Sequence, residues 1–223
     1  NYYAKLLRKK RIKLGAITFD RVEVDFKLDP KNKPESVFFK TSKDAHKLIE
    51  EFMLLANRKV AEFIGKKKKK ASFVYRVHDV PDDKKLENLK ETVNSFGYSF
   101  NPSKKKISKE INGLLQACKG KQEQNLIDTL ALRCMSKATY TTQNIGHYGL
   151  AFSYYTHFTS PIRRYPDMMV HRILYKLLQN KEGKLVNDID KCCAQSTKQE
   201  INATKAERES CLLYTSDAAH EDD

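Results

Sequence analysis

No apolar run in this sequence approaches the length of a membrane-crossing helix, and no signal-peptide pattern opens it. The expectation is a cytoplasmic protein with no membrane partner. Cysteines are scarce and scattered, at Cys118, Cys134, Cys192, Cys193 and Cys211. Their spacing matches no metal site, and the adjacent pair Cys192 and Cys193 does not suit a disulfide. An odd, dispersed set reads as reduced thiols. Acids are in deficit: 28 Asp+Glu stand against 42 Lys+Arg, a formal charge of +14. No Asp-x-Asp-Asp or similar cluster occurs. Asp82-Asp83 lies in an exposed basic helical stretch and Asp222-Asp223 at the very end, so no metal ligands are assigned. Repeats and linkers are also missing, which implies one continuous domain.

What is present fits a globular chain. Its 223 residues are 40% hydrophobic and 31% charged, enough for a real core. The basic excess suits a polyanion or an acidic surface, without choosing among RNA, DNA and lipid. Residues 1–14 read as a basic helix stopped by Gly15. Residues 16–28 read as a strand, alternating from Val22 onward, and Val37-Phe38-Phe39 as its hairpin partner. A helix follows from about Ser42 to Ile64, with Leu48, Ile49, Phe52, Met53, Ala56, Val60, Phe63 and Ile64 on one stripe. Glu50 and Glu51 lie beside that stripe, exposed on the plain reading. The basic run 66–70 reads as a solvated loop. Residues 72–78 read as a strand, 82–96 as a helix ended by Gly97, 123–137 as a helix, and 185–210 as the last one.

The chain is organised around His157-Phe158-Thr159-Ser160-Pro161-Ile162-Arg163-Arg164-Tyr165-Pro166-Asp167. Ser160 suits an N-cap and Pro161 the first helical position. Ile162, Met169, Val170, Ile173, Leu174, Leu177 and Leu178 then recur at helical spacing. On that reading Arg163 and Arg164 stand in a first turn, where the macrodipole disfavours cations. An anion held by free N–H groups and guanidinium forks would explain them. A solvated or acid-paired arginine pair explains them equally well.

This stretch, with Val170-His171-Arg172 after it, closely resembles the signature of the RNB family, ribonuclease II and ribonuclease R. Further segments agree in order: Glu50-Glu51-Phe52-Met53-Leu54-Leu55-Ala56-Asn57-Arg58, Tyr75-Arg76-Val77-His78-Asp79-Val80-Pro81, Leu132-Arg133-Cys134-Met135 (where Cys134 departs from the family's Ser), and His147-Tyr148-Gly149-Leu150. The resemblance covers residues 1 to about 210 and is nearer to ribonuclease R. It implies an α+β fold, a mixed sheet with packed helices. It also implies a processive 3′-to-5′ exoribonuclease acting on single-stranded RNA, with Mg²⁺ as cofactor and no DNA substrate. The intact enzyme is expected to be a monomer. By the same resemblance Arg163 stabilises charge on the scissile phosphate, and Glu207 is a second catalytic candidate. Phe19, Glu50, His147, Tyr155, Ser160, Arg164 and Arg172 are expected to face RNA. Glu50, or Glu51 one step on, would contact the ribose near the 3′ end, where a 2′-hydroxyl separates RNA from DNA. Phe19 would stack on terminal bases; a core strand residue is the alternative.

The family's Asp-rich metal motif lies upstream of the residues matched here. The chain also opens at Asn1 inside a helical pattern. Residues 1–210 are therefore expected to be part of an RNB catalytic domain, inactive and poorly stable alone. Residues 211–223 resemble a translated sequencing adaptor and are expected to be a non-native tail that breaks the helix. Two other readings stay open: an RNA-binding module without chemistry, and a metal-independent nuclease using His147 or His157.

Overall fold

Helix α1 (Tyr2–Lys13) ends where the backbone turns left-handed at Gly15, φ 100°. Gly97, φ 83°, closes helix α3 (Asp83–Ser95) in the same way. Both stops fall where the sequence puts them. Residues 16–19, expected as the start of a strand, are irregular instead, because their backbone groups are satisfied elsewhere. Ile17 N–H donates to the Gly149 carbonyl at 2.9 Å. The Asn112 side chain accepts from Thr18 N–H at 3.4 Å and donates to the Ala16 carbonyl at 2.9 Å. The strand itself is β1 (Glu23–Leu28), antiparallel to β2 (Pro34–Lys40), so the expected hairpin is present.

This computed structural model describes residues 1–19, 23–30, 34–40, 43–67, 72–102, 107–179 and 188–220. Most of the basic run, 68–70, and the segment 103–106 lie outside them.

Helix α2 (Asp44–Lys67) is long and amphipathic, but its buried line is not the expected one. Ile49 and Phe52 are 59% and 44% exposed, whereas Glu51, Asn57, Ala61 and Ile64 are buried. The reason is helix α1. Arg11, 5% exposed, reaches across to Glu51 at 2.5 Å and Glu50 at 3.4 Å. A buried carboxylate survives only when paired in this way.

Two cores form. Helices α3, α4 (Ile107–Ala117) and α5 (Gln124–Cys134) close around Leu89, Val93, Ile111 and Ile127. The second core lies between α2, strands β3 (Tyr75–Val77) and β4 (Thr139–Thr141), α6 (Tyr165–Leu178) and α7 (Ile189–His220). From α6 it takes Met169, Val170 and Ile173, the i, i+1, i+4 face of that helix; each such burial contributes about 1.5–3 kcal/mol. The fold class is α+β. Its strands form two antiparallel pairs, and the one parallel pairing among the described residues is an isolated bridge between His78 and His147.

Two boundaries correct the sequence reading. Helix α6 begins at Tyr165, not Pro161, and Arg164 precedes it in extended conformation, φ −125°, ψ 116°. A helix from Pro161 would carry Pro166 in its interior, losing a hydrogen bond and clashing, at a cost of about 3 kcal/mol or more. Starting at Tyr165 puts Pro166 in the first turn, where it is harmless. Ser160 is therefore not the N-cap. Helix α7 runs on to His220, so the backbone of 211–220 continues the helix it was expected to break.

Among the described residues no helix is long and apolar enough to cross a membrane.

Candidate active-site wall

The signature loop, 157–164, is held by buried side chains on either side of it. Asn57 on α2 is 3% exposed. Its Oδ1 accepts from the N–H groups of Phe158 at 3.0 Å and Thr159 at 3.2 Å. Its Nδ2 donates to the Tyr155 hydroxyl at 3.1 Å. Asp167, fully buried in the first turn of α6, takes the next N–H, that of Ser160, at 2.8 Å. The same Oδ1 accepts from the Arg164 guanidinium at 2.8 Å. His171 Nε2 meets the Phe158 carbonyl at 2.8 Å, with the two rings stacked 4.0 Å apart. Three consecutive N–H groups are thus used internally and are not free for an anion.

What this leaves outward is Arg163. It is exposed and lines a cavity of about 750 Å³ between the start of α6 and α7, with Arg164, Lys191, Gln195 and Gln199. The N-cap residue of α6, Arg164, makes no side-chain cap hydrogen bond. Arg164 is the acid-paired arginine, and its Nε is buried without a partner. It also lines a second cavity of about 510 Å³ against α2, with His46, Ile49, Glu50, Tyr155 and Thr159. The Thr159 hydroxyl there is buried and unpartnered too. Glu50, half exposed, faces this cavity, while Glu51 is consumed by Arg11.

The other candidates spread out. Tyr155 lines the second cavity but is 5% exposed, and burial raises its hydroxyl pKa. Phe19 and His147 line a separate, larger cavity of about 1160 Å³ rimmed by Lys85, Arg133, Lys137 and Arg208. Phe19 also packs against the first core. Arg172 is exposed on α6 and lines none of these cavities. Glu207 is exposed on α7, one turn beyond Ala203, the last residue lining the Arg163 cavity. The structure does not bring Glu207 to the loop.

The two histidines once open as bases are poor ones. Burial, reinforced by Arg164 and Arg76, lowers His157 from the ordinary 6.5 to about 2, and its Nδ1 lies 2.7 Å from the Tyr140 hydroxyl. Burial, with the neighbouring His78, lowers His147 to about 3. A general base works best with a pKa near the operating pH. The buried thiols are equally inert, with Cys134 pushed up to about 11 and Cys193 to about 12 by burial. Among the described residues no group of three or more His, Cys, Asp or Glu side chains could hold a metal. The described residues do not fit a Mg²⁺ site.

Sequence reasoning passed over Asn57 and Asp167. Both carried a signal: Asn57 is a polar residue on the line of Met53 and Ala61, and Asp167 stands three residues after Arg164. It also missed a brace behind the loop. Arg76 makes a two-pronged ion pair with Glu200 of α7, at 2.6 and 2.9 Å, and stacks over the Tyr140 ring at 4.5 Å.

Comparison with known proteins identifies the family and the fold. The RNB domain family matches residues 1–180. Ribonuclease R of Aquifex aeolicus is 37% identical over 210 residues, covering 92% of this chain and 29% of that protein. Two solved structures of Mycoplasma genitalium RNase R, one in complex with ribose methylated single-stranded RNA and one with double-stranded RNA, superimpose with a TM-score of 0.87 at 29% identity. They cover 95% of this chain, and 34% and 39% of the respective neighbours. The chain thus spans 21–29% of the length of curated relatives such as the ribonucleases R of Vibrio parahaemolyticus and Aquifex aeolicus. The chain belongs to the RNB domain family and is ribonuclease R-like.

Proposed function

We propose that this chain supplies one wall of the active site of a cytoplasmic, monomeric 3′-to-5′ exoribonuclease that hydrolyses single-stranded RNA to nucleoside monophosphates. The observation that carries it is the cavity between α2 and the signature loop. Glu50 faces it, and two polar atoms, Thr159 Oγ1 and Arg164 Nε, are buried there without partners. A terminal ribose with its phosphate offers donors and acceptors that match a cavity lined by a carboxylate, a hydroxyl and a guanidinium. The basic excess of the chain favours the same polyanion.

The roles are those the family resemblance implies, each with a chemical basis. Arg163, the guanidinium left outward, neutralises charge that develops on the scissile phosphate. Glu50 accepts from the ribose 2′-hydroxyl, which makes RNA rather than DNA the substrate. Mg²⁺, the metal the family resemblance implies, would be held in the complete enzyme by residues other than those described here. Phe19, His147 and Arg172 belong to the RNA path beyond the terminal nucleotide, and Glu207 to product handling. Relatives that are ribonucleases R, and a neighbour in complex with ribose methylated single-stranded RNA, support this reading.

A thermodynamic cycle tests the ribose contact. The intact enzyme and its Glu50→Ala variant are each given RNA and the same RNA with a 2′-deoxy terminal nucleotide. A hydrogen bond to a charged group is worth about 1.5–3 kcal/mol. The parent should lose roughly ten- to a hundredfold in kcat/KM on the deoxy substrate. The variant should lose little further. An undiminished deoxy penalty in Glu50→Ala removes Glu50 from the ribose site.

A further inference from the structure

We infer that Asn57 is the positioning residue of this site: through one buried amide, α2 sets the height of the signature loop and therefore of the arginines it presents. The inference rests on the exoribonuclease reading for its kinetic consequence, though not for its geometry.

Asn57 lies seven residues after Glu50, two turns along the same helix, and lines the same cavity. Nearly all its hydrogen-bonding capacity is spent. Both Oδ1 contacts go to the loop backbone, one Nδ2–H goes to Tyr155, and one N–H is left over. Thr159, itself clamped, and Arg164, five residues further on, border the cavity. The ribose-facing carboxylate and the phosphate-facing loop are thus referenced to one rigid helix. Tyr155 is the second arm. Its hydroxyl is buried beside Asn57, and its own carbonyl accepts from Arg76 N–H at 3.0 Å, tying the clamp into β3. A side chain that merely filled space would not need to satisfy two successive backbone donors.

The physical consequence concerns turnover more than affinity. Catalytic groups work through alignment, and a displacement of about 1 Å can cost on the order of a hundredfold. Affinity for a long RNA is spread over many phosphate contacts and tolerates a small local shift.

Two substitutions separate positioning from bulk stability. Asn57→Leu keeps the volume and removes every hydrogen bond. Asn57→Asp keeps the acceptor for both N–H groups, and the Tyr155 hydroxyl can turn to donate to it. Both are made in the intact enzyme, and amide hydrogen exchange at Phe158 and Thr159 is read beside kcat and the Kd for single-stranded RNA. Asn57→Leu should lose protection at both amides and lower kcat on the order of a hundredfold, with Kd near that of the parent. Asn57→Asp should keep the protection and recover most of kcat. Asn57→Asp as slow as Asn57→Leu, or lost protection with unchanged kcat, overturns the inference. Should Asn57→Leu not fold, Tyr155→Phe provides the second reading: weaker protection and a smaller kcat loss support the clamp, and no change in either refutes it. A parent protein without exonuclease activity would refute the functional reading instead, and the exchange data would still decide the clamp.

Discussion

Replacing Arg163 with Ala in the intact enzyme is expected to lower turnover about a hundred- to thousandfold, with RNA affinity little changed. Removing one preorganised donor that meets developing charge costs about 2.7–4 kcal/mol of barrier. The structure sharpens this expectation. Arg163 is exposed, faces the 750 Å³ cavity and lies outside the internal clamps, whereas Arg164 is bound to Asp167 at 2.8 Å. Arg163→Lys should recover only part of the rate, because a compact ammonium cannot reproduce a planar two-pronged contact. Arg164→Ala should show a different signature, a lowered Tm accompanying any loss of rate. Steady-state kinetics with a direct Kd measurement checks both. If Arg163→Ala weakens RNA binding as much as it slows cleavage, Arg163 is a binding contact and its catalytic role is wrong.

Asp167→Ala is expected to be the most destabilising single change in the loop. Its carboxylate is fully buried and satisfies both the Ser160 N–H and the Arg164 guanidinium, which is itself only 19% exposed. Breaking such a pair from one side costs about 3–5 kcal/mol, because the remaining charge stays buried. Removing both partners should cost less than removing one, since apolar replacements of similar volume leave no orphaned charge. Denaturant unfolding of Asp167→Ala, and of Asp167→Leu, Arg164→Met and their double variant as a cycle, checks this. A double variant at least as unstable as the sum of the single ones would deny the coupling.

The sequence announced the loop and the family, yet misplaced the start of α6 by four residues. Ser160-Pro161 and Tyr165-Pro166 both look like helix starts, and only the second keeps proline out of the interior. That shift also changes what the arginines mean. They are not cations at odds with a helix dipole; Arg164 is paired with Asp167, and Arg163 is exposed. The hairpin and the stops at Gly15 and Gly97 were legible because each depends on local chemistry. Glu51 was not, because its partner Arg11 is 40 residues away on another helix. The exposure of Ile49 and Phe52 has the same origin: periodicity finds an apolar stripe but does not say what covers it. Of the site residues, Arg163, Arg164, Glu50 and Tyr155 line one of two cavities that share Arg164. Phe19 is placed elsewhere by the packing of residues 16–19 against the first core, a long-range event no local pattern encodes, while His147 lines the same larger cavity with its ring edge-on to Tyr155 at 5.1 Å. Ser160 kept a role with the opposite polarity, offering its N–H to Asp167 where its hydroxyl had been expected to accept.

On the proposed function this region is one wall of a site completed by upstream sequence, and a 3′-end degradation assay separates that reading from its alternatives. Single-stranded RNA labelled at its 5′ end is incubated with Mg²⁺ and either the 223-residue chain or a longer protein that adds the upstream RNB residues. The longer protein should shorten the RNA processively from its 3′ end and release nucleoside monophosphates, and a chelator should stop it. The 223-residue chain alone should leave the RNA intact. Shortening by that chain in proportion to its concentration, or a longer protein that binds RNA without shortening it, would contradict the account.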